Sequence, residues 1–193
     1  MIIIMGAYII STERLGLRRW IDSDANPCIE MNKDKEVMKF FPKAQTAEET
    51  LAMIERIRSR FEENDFGFYA VEKKSTREFI GLTGFGIPNF ESFFTPCIEI
   101  GWRFKKEEWG RGYATEAANA CIEYGFNILA FDKLVSFTST LNINSEKVMK
   151  RIGMNKIGEF NHPLIETDNR LCRHVLYQIT NSKNQSSHAA HIK

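Results

Sequence analysis

Apolar positions along this chain recur with two different spacings, and each spacing predicts one kind of element. Short alternating or continuously apolar runs predict about seven β-strands, at residues 8–20, 66–72, 78–87, 97–104, 132–140, 155–160 and 171–180. Apolar residues three and four apart predict helices at residues 22–32, 34–41, 46–62, 114–129 and 142–152. Helices and strands alternate late in the chain while hairpins dominate its middle. The order therefore predicts an α+β fold, with a central mixed sheet flanked by helices.

Local signals place several of the predicted helix ends. Thr46 followed by Glu49 resembles a capping box, which satisfies free N–H groups where a helix starts. Pro42 disfavours helical geometry at the residue before it, so the short helix 34–41 is expected to end there. Gly153 is expected to close the helix that begins near Asn142.

The chain is long enough for one domain, and one plausible core is visible in its pattern. We expect a single domain over residues 1–181. Residues 182–193 are polar and lack periodicity, which predicts a disordered tail. The apolar opening M-I-I-I-M-G-A-Y-I-I lacks a basic start, and we interpret it as an extra turn and part of the first strand rather than a signal peptide.

Composition and charge exclude several classes of function. The formal net charge is +1 and no basic face dominates, so nothing indicates a nucleic-acid partner. No apolar run is long enough to span a bilayer. The cysteines and histidines have no metal-ligand spacing, so we expect no metal site, and scattered cysteines inside apolar runs are typical of buried thiols in a cytoplasmic protein. His174 and Tyr177 are expected to be structural or to contact substrate.

Residues 98–131 organise the chain, because they combine a strand, a short glycine loop and an amphipathic helix. The first turn of a helix presents unpaired N–H groups and the positive end of the helix dipole. Gly110 and Gly112 let a ligand approach the backbone closely, which suits a pyrophosphate. A plain tight turn is the alternative. The loop is not a P-loop, because no Gly-Lys-Ser/Thr follows, and it lacks the third glycine of a dinucleotide fingerprint.

The stretch W-G-R-G-Y-A-T-E-A resembles the acetyl-CoA loop of the GNAT acetyltransferases. The family motif Q/R-x-x-G-x-G/A maps onto Trp109, Gly112 and Ala114, with Trp in place of Gln or Arg. The form W-G-x-G-Y-A, and the opening T-E-R-L-x-L-R, are similar to the branch that contains the ribosomal-protein N-terminal acetyltransferases. The resemblance covers residues 9–180 and implies the GNAT fold, in which the cofactor strand and the next strand splay apart.

The resemblance also implies which residues bind acetyl-CoA as co-substrate. Backbone groups of the cofactor strand would pair with the pantetheine arm, and the glycine loop with the start of its helix would bind the pyrophosphate. Asn142 and Ser145 match the family's N-x-x-S pattern. The expected cofactor-binding residues are Ile100, Trp102, Phe104, Trp109, Gly110, Arg111, Gly112, Tyr113, Ala114, Thr115, Asn142 and Ser145.

Glu99 is the candidate general base. An amine is mostly protonated at neutral pH, so a carboxylate that accepts its proton helps acyl transfer. Glu99 lies in an otherwise apolar strand, and an unpaired buried charge is costly, so it must face a cavity or a partner. The alternatives are that Glu99 faces solvent or pairs with a nearby arginine.

Ser145 is the second candidate catalytic residue. The resemblance places it near the thioester sulfur, where it would stabilise or protonate the leaving thiolate. Many family members use a tyrosine on this helix, at the position that Met149 occupies here, and methionine cannot donate a proton. Asn142 and Ser145 could instead be no more than helix caps.

The leading hypothesis is an acetyl-CoA-dependent N-acetyltransferase that acts by direct transfer, with a protein N-terminal amine as the acceptor suggested by the branch. The alternatives are a small amine as acceptor, or a non-catalytic acyl-CoA-binding module. The acceptor pocket is expected from the helices of residues 24–62 and the loops 88–97 and 161–170. A monomer or a homodimer is expected, since dimers are the commonest assemblies.

Overall fold

The structure is a computed structural model, and it describes residues 8–181. The helices are α1 (Ala25–Lys33), α2 (Ala47–Asn64), α3 (Tyr113–Asn127) and α4 (Ile143–Arg151). The strands are β1 (Ile10–Ser11), β2 (Leu15–Arg18), β3 (Phe68–Lys73), β4 (Glu78–Gly86), β5 (Glu99–Phe104), β6 (Lys133–Ser139), β7 (Asn155–Asn161) and β8 (Arg173–Thr180). The predicted tail and most of the predicted opening turn lie outside the described residues.

The strands form one eight-stranded sheet in the order β1-β2-β3-β4-β5-β6-β8-β7. Every neighbouring pair is antiparallel except β5 and β6, which are parallel. These two strands register at one pair only, Glu99 with Val135, and then diverge. The mixed α+β sheet flanked by helices is confirmed, and its opening lies between β5 and β6.

Two predicted elements differ from the structure. The single strand predicted at 8–20 is two short strands, so the sheet has eight strands instead of about seven. The hydroxyl of Thr12 accepts a hydrogen bond from the N–H of Leu15, which closes a tight turn inside the predicted strand. The helix predicted at 34–41 is a series of turns. Asp34 Oδ1 accepts the N–H of Glu36, and a segment this short gains too few helical bonds to offset nucleation.

The predicted start of α2 is confirmed, because Thr46 and Glu49 form the reciprocal capping box. α1 is present as predicted, and a buried ion network anchors its start. Arg18 of β2 donates two hydrogen bonds to Asp24 and one to Glu72 of β3. All three side chains are almost fully buried, so the network ties the first helix to the sheet.

The alternation of side chains along β5 defines two faces of the sheet. Ile100, Trp102 and Phe104 point towards α3. Cys121 of α3 bonds the hydroxyl of Thr83, which is paired with Trp102 in the register. Glu99, Gly101 and Arg103 point to the opposite face, which we call the Glu99 face, and Arg103 contacts α1 there.

No helix among residues 8–181 combines the length and the apolar character that crossing a bilayer requires.

Candidate active site

The glycine loop at the end of β5 forms a concave set of backbone donors. Gly110 and Gly112 have φ values of 75° and 82°, in the left-handed region that favours glycine. Within the described residues, the N–H groups of residues 110–115 have no hydrogen-bond partner. They surround the positive end of α3. Successive free N–H groups of this kind bind anions, so the loop is suited to a phosphate group.

Trp109 fixes the loop to the strand that precedes it. Its indole N–H donates to the carbonyl of Phe104, the last residue of β5, at 2.9 Å. Glu108 is buried beside it and accepts a hydrogen bond from Lys73 at 2.8 Å. Arg111 extends from the same turn with a largely exposed side chain, 3.5 Å from Glu108. These contacts hold the predicted residues of the loop in one rigid turn.

Arg14 also contacts the glycine loop, although it is distant from the loop in sequence. This contact was not predicted from the sequence. Its Nη1 donates to the carbonyl of Arg111 at 3.0 Å, and its guanidinium stacks over the ring of Tyr113 at 4.6 Å. The carboxylate of Glu116 in α3 accepts a hydrogen bond from Nε of Arg14 at 2.6 Å. Nothing in the local sequence around Arg14 indicates this role, because the contacts join residues about a hundred positions apart.

The opening between β5 and β6 leaves one edge of β5 without a strand neighbour. Beyond the Glu99 pair, β6 offers no further partner among the described residues to Ile100, Trp102 and Phe104. The side chains of Ile100 and Phe104 are buried towards α3. These residues can therefore meet a ligand in the opening mainly through their backbone groups.

Glu99 lies at the closed end of this opening. Its carboxylate oxygens sit near two glycines, within 3.8 Å of the space that a Cβ would occupy at Gly86 or Gly101. The ring of Phe68 fills the rest of that space. Glu99 has no hydrogen-bond partner among the described residues. Burial raises the pKa of its carboxyl to about 7, against the opposing charge of Arg60.

A cavity of about 350 Å³ lies at the end of β4, on the strand next to Glu99. Gly86, the register partner of Glu99, is part of its wall. The lining residues are Arg60, Glu63, Asn64, Phe66, Phe85, Gly86, Ile87, Pro88 and Asn89. Of the predicted acceptor elements, the end of α2 and the start of the loop 88–97 contribute to this wall. The loop 161–170 does not.

Asn142 and Ser145 lie where β6 leads into α4. Asn142 caps α4, since its Oδ1 accepts the N–H of Ser145 at 3.3 Å and its Nδ2 donates to Thr138 at 3.0 Å. The hydroxyl of Ser145 has no partner among residues 8–181. Met149 is buried in the core. Asn142 therefore caps α4 through the backbone N–H of Ser145. The Ser145 hydroxyl takes no part in this cap and can donate a hydrogen bond to a ligand.

The histidines and cysteines form no second reactive centre in the described part of the chain. His162 and His174 pack 5.0 Å apart among the rings of Phe137 and Phe160. Burial lowers the pKa of His162 to about 4, with the neighbouring His174 adding to the effect, so the ring is neutral. Cys28, Cys97, Cys121 and Cys172 are all buried free thiols. No group of three potential metal ligands occurs within residues 8–181.

Comparison with known proteins identifies relatives over most of the chain. A family model described as "Acetyltransferase (GNAT) domain" matches residues 14–155. The uncharacterized N-acetyltransferase YnaD of Bacillus subtilis is 32% identical over 152 residues, which cover 78% of this chain and 85% of YnaD. A GNAT-family acetyltransferase structure from Bacillus anthracis superposes with a TM-score of 0.74 at 27% identity, and covers 89% of this chain and 97% of that one.

Two further solved structures share the fold at lower identity. A ribosomal-protein-S5-alanine acetyltransferase from Vibrio fischeri has a TM-score of 0.71 at 20% identity, and covers 89% of this chain and 96% of that one. A spermidine N-acetyltransferase from Vibrio cholerae, solved with CoA and spermine, has a TM-score of 0.71 at 19% identity, and covers 90% and 99%. At these identities the likeness concerns the fold alone.

Proposed function

This chain belongs to the acetyltransferase (GNAT) family, and we propose that it transfers the acetyl group of acetyl-CoA directly to a primary amine, with a protein N-terminal α-amino group as the first candidate. GNAT enzymes bind an acyl-CoA and an amine acceptor. One observation carries the proposal for this chain: the unpaired N–H groups of the glycine loop lead, along an open strand edge, to the partly buried carboxylate of Glu99. We also place the enzyme in the cytoplasm, where buried free thiols like these are ordinary.

The residues present fit acetyl-CoA. The N–H groups of residues 110–115 and the start of α3 would hold the pyrophosphate, with positive charge from Arg14 and Arg111 nearby. The open edge of β5 would pair with the amide groups of the pantetheine arm. When bound, acetyl-CoA supplies an activated acyl thioester. Trp109 and Arg14 keep the loop in the conformation that this binding needs.

Glu99 would act as the general base. Its pKa of about 7 suits this role, because the carboxylate is both present at neutral pH and basic enough to accept a proton from an ammonium group. The proton would pass directly or through one water. The neighbouring cavity is where the amine would wait, since Gly86 belongs to its wall and lies beside Glu99.

Ser145 would donate a hydrogen bond to the leaving thiolate, and Asn142 would position it. We expect Ser145→Ala to lower kcat by roughly 10- to 100-fold while acetyl-CoA still binds, since a hydrogen bond to a charged group contributes about 1.5–3 kcal/mol. The α4 cap should survive, because it uses the Ser145 backbone N–H. Single-turnover kinetics measure the effect. Unaltered transfer in Ser145→Ala would limit Ser145 to the cap.

Asn142→Ala is the matched control for Ser145. It removes the cap itself, so we expect a loss of about 1 kcal/mol in the free energy of unfolding. Ser145→Ala should show no comparable loss, and chemical denaturation of both variants separates the two roles.

Arg14→Ala should weaken acetyl-CoA binding about tenfold. The substitution removes the hydrogen bond to the Arg111 carbonyl and a positive charge beside the phosphate nest, each of which contributes on the order of 1 kcal/mol. Isothermal titration gives the dissociation constant. Arg19→Ala is the control, because Arg19 is an exposed arginine paired with Glu62 on α2. Equal affinities in Arg14→Ala and Arg19→Ala would refute the role of Arg14.

A small amine acceptor is the second candidate, and the cavity favours it, because about 350 Å³ lies within the range of small-molecule pockets. The test is release of free CoA thiol from acetyl-CoA with three acceptors: a peptide with a free N-terminus, the same peptide blocked by acetylation, and spermidine. The first proposal expects turnover with the free peptide only. Turnover with spermidine alone would favour the second. Acetyl-CoA binding without release in any arm would favour a non-catalytic module.

A further inference from the structure

Arg103 lies on the Glu99 face of β5 and has no carboxylate partner. It is two residues beyond Gly101 on the same side of the strand as Glu99, so the backbone positions of Glu99 and Arg103 are about 13 Å apart. Phe41, from the irregular segment between α1 and α2, stacks on the guanidinium at 4.2 Å from the ring centroid. No aspartate or glutamate among residues 8–181 lies within ion-pair distance of Arg103.

Only one nitrogen of the Arg103 guanidinium, Nη1, donates a hydrogen bond within the described residues. Nη1 donates to Oδ1 of Asn32 at 2.7 Å. Asn32 is fully buried, and its own amide donates to Gln45 and Thr50, so the asparagine is held in place. Among the described residues, Nε is buried without a partner, and Nη2 has none either. The edge formed by Nε and Nη2 is therefore unused.

Leaving these two guanidinium nitrogens of Arg103 without partners costs free energy unless a ligand accepts their hydrogen bonds. Asn32 orients the guanidinium but does not neutralise it, and burial lowers the pKa of Arg103 to about 10. Arg103 is partly buried, and an arginine with a buried guanidinium nitrogen is ordinarily paired with a carboxylate. The segment that carries Phe41 has a further contact, because the carbonyl of Lys39 accepts a hydrogen bond from Nη2 of Arg170 at 3.3 Å.

We propose that Arg103 binds a carboxylate of the amine acceptor through its free Nε–Nη2 edge, while the acceptor's amine lies at Glu99. The guanidinium fork matches a planar carboxylate with two parallel hydrogen bonds. The ring of Phe68 packs over Gly101 between the two groups, so an acceptor that reaches both must displace this ring or pass beside it. The acceptor is then an amine with a carboxylate on the order of 10 Å away, as in a short peptide, and not a polyamine. This inference rests on the proposed function, since it takes Glu99 as the position of the amine.

The test compares two probes that differ only in the charge at one end. Tri-alanine spans roughly 10 Å when extended, and tri-alanine amide lacks its carboxylate. Protein saturated with CoA is titrated with each probe by calorimetry, as wild type, Arg103→Gln and Arg103→Lys. We expect wild type to bind the acid about 10- to 100-fold more tightly than the amide, the range of charge-assisted bidentate hydrogen bonds. Arg103→Gln should bring this ratio close to one, and Arg103→Lys should give an intermediate ratio.

CoA affinity, measured first, separates this inference from the proposed function. If wild type does not bind CoA, the proposed function fails and takes the inference with it. If CoA binds normally in all three proteins, the variants are folded. Equal binding of acid and amide to wild type, binding of neither probe, or a preference that survives Arg103→Gln would then each overturn the role of Arg103 alone.

Discussion

Replacing Gly112 by valine is expected to weaken acetyl-CoA binding by at least about 100-fold. Gly112 immediately precedes α3 with φ of 82°, and a β-branched residue is a genuine outlier in that region. The loop must rearrange to accept valine, which moves its unpaired N–H groups from the positions that they hold in the structure. The binding of phosphate by successive free N–H groups depends on the backbone conformation that places them. Isothermal titration of the variant with acetyl-CoA measures the loss.

Gly153→Val is the matched control for this experiment. Gly153 follows α4 with φ of 78°, so valine there carries similar backbone strain at a position away from the glycine loop. Both variants should lose a similar amount of unfolding free energy, while Gly153→Val should keep its affinity for acetyl-CoA. Similar affinity losses in the two variants would mean that general destabilisation, and not the nest, is responsible.

Glu99→Gln is expected to lower kcat/KM by roughly 100- to 1,000-fold, the usual contribution of a general base. In wild type the rate should fall as pH drops below about 7, because protonated Glu99 cannot accept a proton. Glutamine does not titrate, so this limb of the pH–rate profile should be absent from the variant. Glu123→Gln, an exposed carboxylate on α3, is the control and should keep the wild-type profile.

The same substitution has a second readout in stability. The folded pKa of Glu99 lies above the unfolded value, so above about pH 7 the folded state carries a partly buried carboxylate without a hydrogen-bond partner and is destabilised. Below about pH 4 the carboxyl is protonated in both states and contributes nothing. Glu99→Gln should therefore raise Tm at pH 8 and leave it unchanged at pH 4.

The kinetic prediction for Glu99→Gln has its own contradicting outcome. An unchanged pH–rate profile together with unchanged kcat would remove Glu99 from the mechanism.

The parts of the fold that short-range signals determine were predictable from the sequence. The spacing of apolar residues predicted α2, α3 and α4, and Thr46 with Glu49 marked the start of α2. The glycine loop was predictable because both glycines occupy backbone conformations that other residues avoid. Each of these features depends on residues within a few positions of one another.

The errors and omissions involve competing local bonds or distant contacts. The turn at Thr12 and the turns after Asp34 arise where a side chain takes up backbone N–H groups that a strand or helix would have used. Arg14 reaches the glycine loop, and Arg103 reaches Asn32, across long stretches of chain. Spacing alone gives no sign of such contacts. The roles of Glu99 and Ser145 stay predictions that kinetics must test.

Calorimetric titration of the wild-type protein with acetyl-CoA, beside NADH as a control, is the first test of whether the glycine loop binds acetyl-CoA. We expect micromolar binding of acetyl-CoA and no measurable binding of NADH, because the loop has unpaired N–H groups for a phosphate but lacks the fingerprint of a dinucleotide site. Absence of acetyl-CoA binding would contradict the assignment of the loop, and with it the proposed roles of Glu99, Ser145 and Arg103.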